Sequence, residues 1–323
     1  MMKTLLLVGG TGIFGKSFIQ AFIGGKLEKW GVGKLIIASR NASGFSLNNP
    51  TYLRSNINYF DLDAANACNI PASDFVMHFA NSSNKASYEK GLSKEIENVE
   101  KSMLSFVESI QKSNVNPTHM LYASSGAVYG PTESRIFKES DPTNITDAFT
   151  SIKRHYAKAK LTAEHFFCQL EKKHRKLSIA RCFSFVGSEL PLNTHFVVGN
   201  LIQNILNNEA LEVKANIPVV RSYLHADDLV LWLMEILLNG TAEGSIFNVG
   251  SDDSLEIHDL ARELAQHFSF PTALAPYSTK NVDHYIPNIE KARSIGLYPS
   301  YSSIEAVVRT VHEMRCRSLR HGI

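Results

Sequence analysis

Tyr156 and Lys160 stand four residues apart in a stretch, 151–173, whose apolar spacing predicts a helix, so the two side chains share a face. A phenol with a pKa near 10 is a poor acid–base catalyst at neutral pH. Lowering it by about three units takes roughly 4 kcal/mol. One ammonium at ~4 Å supplies about that much at an effective dielectric near 20. Such a pair can move a proton while hydride passes to or from a nicotinamide ring. Ser125 follows the apolar run 119–124, where a strand is predicted to end. A hydroxyl there can hydrogen-bond the substrate oxygen that gains or loses the proton. Each feature alone has an ordinary structural reading: a packed ring beside a solvated amine, and a serine bonded to its own backbone.

A third feature sets them in context. Leu5 to Val8 is an unbroken apolar run, followed by glycines at 9, 12 and 15 and an apolar stretch from Ile13 to Ile23. Strand, glycine turn and helix start make an anion site, because the backbone can approach a pyrophosphate and the helix N-terminus aims free N–H groups at it. Gly9, Thr11, Gly12, Ile13, Phe14 and Gly15 are therefore candidate cofactor contacts. The spacing is G-x-x-G-x-x-G rather than the commoner G-x-G-x-x-G.

The elements that must position these groups follow in order. Apolar runs predict strands at 5–8, 35–38, 58–60, 74–80, 119–124 and 177–180, with helices at 13–23, 96–110 and 151–173. The segments 26–33 and 41–56 read as a polar connection and an Asn/Ser-rich loop. Strands alternating with helices predict an α/β fold with a doubly wound parallel sheet, ligands lying beyond the carboxyl ends of its strands. The glycine turn, Ser39, Arg40, Asp61, Ala80, Asn81 and Ser125 all fall at such ends. Further helices are expected at 195–208, 226–239, 256–268 and 302–316. The domain reading is a dinucleotide-binding Rossmann domain over 1–183, with a return near 225–250. A smaller, interleaved α/β substrate lobe covers 184–323.

Composition narrows the function classes. The formal net charge of +2 argues for neither nucleic acid nor a membrane surface. No apolar run approaches the ~18 residues of a membrane span. Met1 leads straight into the first strand, which leaves no room for a signal peptide. Cys68, Cys168, Cys182 and Cys316 lack the spacing of a disulfide framework or a zinc site. A cytoplasmic enzyme using no metal is expected.

Taken together, the chain resembles the extended short-chain dehydrogenase/reductase family, the nucleotide-sugar epimerases, dehydratases and reductases. The resemblance runs from Gly9 to about Glu313. It rests on the glycine turn, Ser125 four residues before Tyr129 of a V-Y-G turn, the Y-x-x-x-K pair Tyr156 and Lys160, and Arg221-Ser-Tyr-Leu-His-Ala-Asp-Asp228. Phe247-Asn-Val-Gly-Ser251 and Asn288-Ile-Glu-Lys-Ala292 also match family segments. The resemblance implies catalysis by Ser125, Tyr156 and Lys160, with Tyr156 and Lys160 also touching the cofactor. It implies cofactor contacts at Asp61 and Leu62, at Phe79 and Ala80 of the H-x-A segment, and at Asn98. Substrate contacts are implied at Ser125, Ser184 and Arg221, the last as a bidentate clamp on a diphosphate. It also implies a homodimer through the helices bearing Asn98 and Tyr156, with Met103, Phe106, Ile110, Leu161, Phe166 and Leu170 as apolar contacts.

Three departures from the family pattern matter. The second strand ends in Ala38-Ser39-Arg40, without the acid that meets the ribose hydroxyls of NAD, so NADP is favoured over NAD. Gly126-Ala127 replaces the Asp-Glu of the 4,6-dehydratases, and neither can transfer a proton. Ser184 stands where the family places an Asn. The leading expectation is hydride transfer at C4 of a nucleotide-diphosphate sugar, as a 4-keto-sugar reductase. The alternatives are a 4-epimerase and, from another class, a non-catalytic dinucleotide sensor.

Overall fold

The computed structural model describes residues 2–63, 69–80, 92–112, 117–130, 136–143, 145, 151–170, 175–192, 196–241, 245–278 and 281–321. The elements are β1 (Lys3–Val8), α1 (Ile13–Ile23), β2 (Val32–Ser39), α2 (Ala42–Asn48), β3 (Ile57–Asp61), β4 (Phe75–His78), α3 (Leu92–Lys112), β5 (His119–Ser125), α4 (Ser151–Phe167), β6 (Lys176–Cys182) and β7 (Phe185–Val186). They continue with α5 (Val197–Leu206), β8 (Leu211–Val213), β9 (Val219–Arg221), β10 (Leu224–His225), α6 (Ala226–Leu238), β11 (Ser245–Val249) and β12 (Leu255–Glu256). The chain closes with α7 (Ile257–Phe268), β13 (Thr272–Leu274), β14 (Asp283–Tyr285), α8 (Glu290–Arg293) and α9 (Ser303–His321).

The chain divides into two compact units. The first comprises 1–133, 139–182 and 230–247, and the second 134–138, 183–229 and 248–323. The first unit is built on a seven-stranded sheet of order β11-β6-β5-β4-β1-β2-β3, in which β6 through β3 are parallel. This is the doubly wound arrangement, with the order reversing between β1 and β4, and that crevice is where such sheets take a ligand. Leu5, Leu6, Leu7 and Val8 are all buried, because helices cover both faces of a parallel sheet and leave no solvent side. Leu6 and Val8 join a core with Val76, Tyr122 and Ile179 from the sheet, Met103, Phe106 and Ile110 from α3, and Ala159, Ala163 and Phe167 from α4.

Among the described residues, the second unit contains three small sheets: β10 with β7, β9 between β12 and β14, and β13 with β8. Its amphipathic helix α7 buries Ile257, Leu260, Ala261 and Leu264, the i, i+3, i+4, i+7 pattern of a one-sided helix.

Several expectations are corrected. Residues 41–56 are not a loop: α2 and a 3₁₀ turn at Pro50–Tyr52 lie there. The Asn41 side chain caps α2 by accepting from the Gly44 amide, the role that makes Asn look like loop composition. Strand β2 starts at Val32, inside the segment taken as a connection. The long helix ends at Phe167. Met103, Phe106, Ile110 and Leu170 sit in the core rather than on a dimer face.

Candidate active site

The glycine turn follows from two close approaches. Gly9 has φ +80°, and a Cβ on it would lie 2.5 Å from the Ala80 amide nitrogen. Only glycine tolerates that conformation and that proximity. A Cβ on Gly15 would collide with the Gly10 backbone, which seats α1 directly behind the turn. Gly12 is the N-cap of α1, so no side chain caps the helix, and its first turn holds no acid. A Cβ on Gly12 would meet only the Gly9 carbonyl at 3.5 Å. An open, uncapped helix N-terminus free of acids fits a pyrophosphate, as the phosphate end of a dinucleotide requires.

The neighbouring expected contacts divide. Thr11, Ile13, Phe14 and Ala80 flank this turn and are partly exposed. Phe79 packs edgewise on Phe14 at 5.3 Å and against Phe18 at 5.6 Å, so its ring belongs to the α1 interface. Leu62 is in the core. Ser39, the last residue of β2, is partly exposed, and Arg40 after it is exposed. Asp61, opposite Ser39 in register, accepts from the Ser43 amide at 2.9 Å. That bond, with the Ser43 side chain, holds its carboxyl below the usual carboxylate range. Asn98 is exposed on α3. Asn81 and Cys68 lie outside the described residues.

The catalytic candidates meet at the carboxyl end of β5. Strand β5 carries Ser125 to its last position, and a 3₁₀ turn over Gly126–Tyr129 follows at once. The Ser125 hydroxyl accepts from the Ala127 amide at 3.2 Å and shares a side-chain hydrogen bond with Tyr156. Lys160 donates to the Ala123 carbonyl at 2.8 Å, with its ammonium 5.9 Å from the Tyr156 ring centre. Burial pushes the Tyr156 phenol up to about 12, partly offset by the bond to Ser125. Burial pulls Lys160 down to about 8, against the opposing influence of Cys182 and Glu164.

The lowering of the Tyr156 pKa expected from Lys160, to which an oxidised nicotinamide would add, does not offset the burial of the phenol. Desolvation of the phenolate outweighs a neighbouring charge that is itself desolvated and spent on a carbonyl. Cys182, the last residue of β6, is raised to about 12 by burial, so its thiol stays neutral here.

Beneath these groups lies a network that the sequence reading missed. Glu164, one turn beyond Lys160, accepts from Arg181 Nε at 3.1 Å, from Arg181 Nη2 at 2.8 Å and from the Ser124 hydroxyl at 2.5 Å. Arg181 also bonds the Tyr129 side chain and lies 4.8 Å over its ring. Burial lowers the Arg181 pKa, and the bonds to Glu164 more than reverse that. The carboxylate thus ties α4 to both strands that end at the site. Two signals were available: Tyr156, Lys160 and Glu164 recur every four residues on one helix face, and Arg181 follows the apolar pair Ile179 and Ala180 near the end of a buried strand.

In the second unit, Ser184 is partly exposed between β6 and β7, its carbonyl accepting from the Leu224 amide. Arg221 is ion-paired with Asp283 at 2.9 Å. His225, Asp227 and Glu313 are close enough to suggest a metal site. However, Arg309 already pairs with both carboxylates. The His225 Nδ1 accepts from the Asp227 amide, which leaves the proton on Nε2, the atom a cation would need.

Residues 5–250 match the model of the NAD dependent epimerase/dehydratase family. The chain belongs to that family. Among solved structures, UDP-glucose 4-epimerase from Thermotoga maritima is 18% identical, with a TM-score of 0.76, covering 98% of this chain and 99% of that one. The DesIV double mutant, a dTDP-glucose 4,6-dehydratase from Streptomyces venezuelae solved with NAD, is 18% identical with a TM-score of 0.77 and 98% of each chain covered. UDP-N-acetylglucosamine 4-epimerase from Methanobrevibacter ruminantium, solved with UDP-N-acetylmuramic acid, is 18% identical with a TM-score of 0.77, covering 98% and 99%. At such identities the likeness is one of fold. No curated protein matches the chain. Among the described residues, no helix is long and apolar enough to cross a membrane.

Proposed function

We propose that this enzyme moves hydride at C4 of a nucleotide-diphosphate sugar, and that it acts as an NADPH-dependent 4-keto-sugar reductase. The observation that carries the hydride-transfer reading is the Ser125–Tyr156 hydrogen bond at the end of β5, with Lys160 behind it. A bound nicotinamide dinucleotide supplies the hydride and, once oxidised, a positive ring charge. Ser125 holds the substrate oxygen. Tyr156 gives that oxygen its proton, and Lys160 stabilises the phenolate left behind. A phenol raised to about 12 by burial is protonated at neutral pH, the form a reductase needs at the start of its cycle.

Arg40 and Ser39 at the exposed end of β2 favour NADP, since an arginine and a hydroxyl suit a 2′-phosphate. Gly126 and Ala127, in the turn after Ser125, have no group to expel water, which disfavours a dehydratase. Ser184 and Arg221 are the proposed substrate contacts of the second unit. The homodimer expectation now rests on Leu104, exposed on α3, and on the partly exposed Leu161 and Phe166 of α4.

A second reading, 4-epimerisation on a retained cofactor, is supported by the fold likeness to two 4-epimerases over nearly the whole chain. Incubation with nucleotide 4-keto sugars and NADPH, and separately with UDP-hexoses, discriminates. Stoichiometric NADPH oxidation supports the reductase. Interconversion of UDP-hexoses with no net cofactor change supports the epimerase. A protein that binds NADPH and does neither is a sensor.

A further inference from the structure

Arg221 has spent most of its hydrogen-bonding capacity. Nη1 donates to the Val220 carbonyl at 2.9 Å and to the Asp283 carbonyl at 2.8 Å, and Nη2 donates to Asp283 Oδ2 at 2.9 Å. A guanidinium has five N–H donors, so two remain. The sheet imposes this arrangement: β14 runs parallel beside β9, with Asp283 opposite Val219 and Tyr285 opposite Arg221. The Tyr285 ring lies 5.8 Å from the guanidinium and is itself packed on Phe183 at 4.6 Å. The two paired side chains are 19% and 34% exposed, so solutes can reach them.

A carboxylate and a phosphate offer an arginine the same thing, paired anionic oxygens in fork geometry. We propose that Asp283 competes with the substrate's diphosphate for Arg221, so that a diphosphate binds by displacing this carboxylate and the pair sets affinity and selectivity. This rests on the reading of Arg221 as a diphosphate contact. The two backbone carbonyls keep Nη1 in place when the carboxylate leaves, so the exchange gives up charge compensation and not position. A dianionic diphosphate can outbid one carboxylate, whereas a singly charged or neutral ligand gains little from trying. The pair thereby selects against weak anions by making each of them replace a bond already made.

The test uses titration calorimetry at fixed ionic strength, with UDP and inorganic pyrophosphate as probes. Four proteins are compared: the unmodified protein, Asp283→Asn, Arg221→Ala and the double variant. Asparagine preserves shape and the backbone contacts while removing the charge. Asp283→Asn is expected to bind both probes about tenfold tighter, the scale of one charge-assisted contact, and the gain should vanish in the double variant. Unchanged or weaker binding by Asp283→Asn, with loss in Arg221→Ala, overturns the competition and leaves the diphosphate contact standing. Equal affinity in all four proteins removes both. Asp283→Ser serves the same comparison if the Asn variant fails to melt cooperatively.

Discussion

Arg181 and Arg221 are each paired with a carboxylate, and the surroundings of the two pairs differ. The side chains of Arg181 and Glu164 are 6% and 8% exposed, and Glu164 also takes the Ser124 hydroxyl. Those of Arg221 and Asp283 are 19% and 34% exposed, with part of the guanidinium spent on backbone carbonyls. A buried pair cannot release a partner without stranding a charge away from water. A partly exposed pair can, because water or a ligand anion takes over. The first kind of pair can fix the shape of a catalytic corner, and the second can serve as a binding contact.

The sharpest way to break the comparison is Glu164→Gln. It should leave Arg181 uncompensated and cost about 3–5 kcal/mol of stability, the usual penalty for halving a buried pair. Urea unfolding followed by circular dichroism reads this directly. A loss under about 1 kcal/mol would mean that the pair is no more demanding than a surface one.

Next in size is the chemistry that the buried pair frames. Tyr156→Phe should lower turnover by about 10² or more, as loss of a general acid does. Its cofactor affinity and melting temperature should stay close to those of the unmodified protein. Single-turnover oxidation of NADPH by a nucleotide 4-keto sugar measures it. Near-normal turnover would move the proton donor elsewhere.

The two regions were unequally legible in the sequence. Strand β1, the glycine turn and α1 could be read almost to the residue, because an unbroken apolar run, a close-approach glycine and a helix start are all local signals. Tyr156 and Lys160 were legible for the same reason. The Arg221–Asp283 pair joins residues 62 apart in sequence, and nothing local marks Asp283. Met103, Phe106 and Ile110 were misassigned to a dimer face because periodicity finds an apolar stripe without telling which surface it meets. Asn41 and its neighbours were taken for loop because a capping residue and a loop residue are the same amino acid.

The buried side of the comparison has an acid limit of its own. His78, on β4, is 2% exposed, and its ring nitrogens have no hydrogen-bond partner among the described residues. Burial, with the Lys160 charge, lowers its pKa to about 3. The folded chain therefore keeps His78 neutral between about pH 6.5 and 3, while the unfolded chain takes up a proton. Its contribution to stability is full above pH 6.5 and falls as the pH drops, by up to about 3 kcal/mol at pH 4. In His78→Leu, the slope of unfolding free energy between pH 6 and 4 should be shallower by up to one proton. An unchanged slope would assign the acid sensitivity to other groups.

On the exposed side, Arg40→Ala should weaken NADP(H) about tenfold to a hundredfold and barely alter NAD(H). One charge-assisted contact to a 2′-phosphate is worth roughly 1.5–3 kcal/mol. Fluorescence titration with both reduced cofactors decides it. Tighter NADH than NADPH binding by the unmodified protein would overturn the NADP preference and, with it, the main reason for placing the reductase ahead of the epimerase.

The smallest expected effect sharpens the comparison most. Asp283→Asn removes one member of an ion pair, as Glu164→Gln does, yet it should change stability by less than about 1 kcal/mol. Arg221 keeps its bonds to the Val220 and Asp283 carbonyls, so the variant neither creates a cavity nor frees the arginine side chain. Its guanidinium is accessible enough for water to take up the donor that Oδ2 gives up. The small loss should shrink further in high salt, which screens a partly exposed pair but hardly touches a buried one. Parallel urea titrations of the two variants, at low and high salt, provide the measurement. If Asp283→Asn cost as much as Glu164→Gln, at either salt concentration, Asp283 would be a structural tie rather than an exchangeable partner.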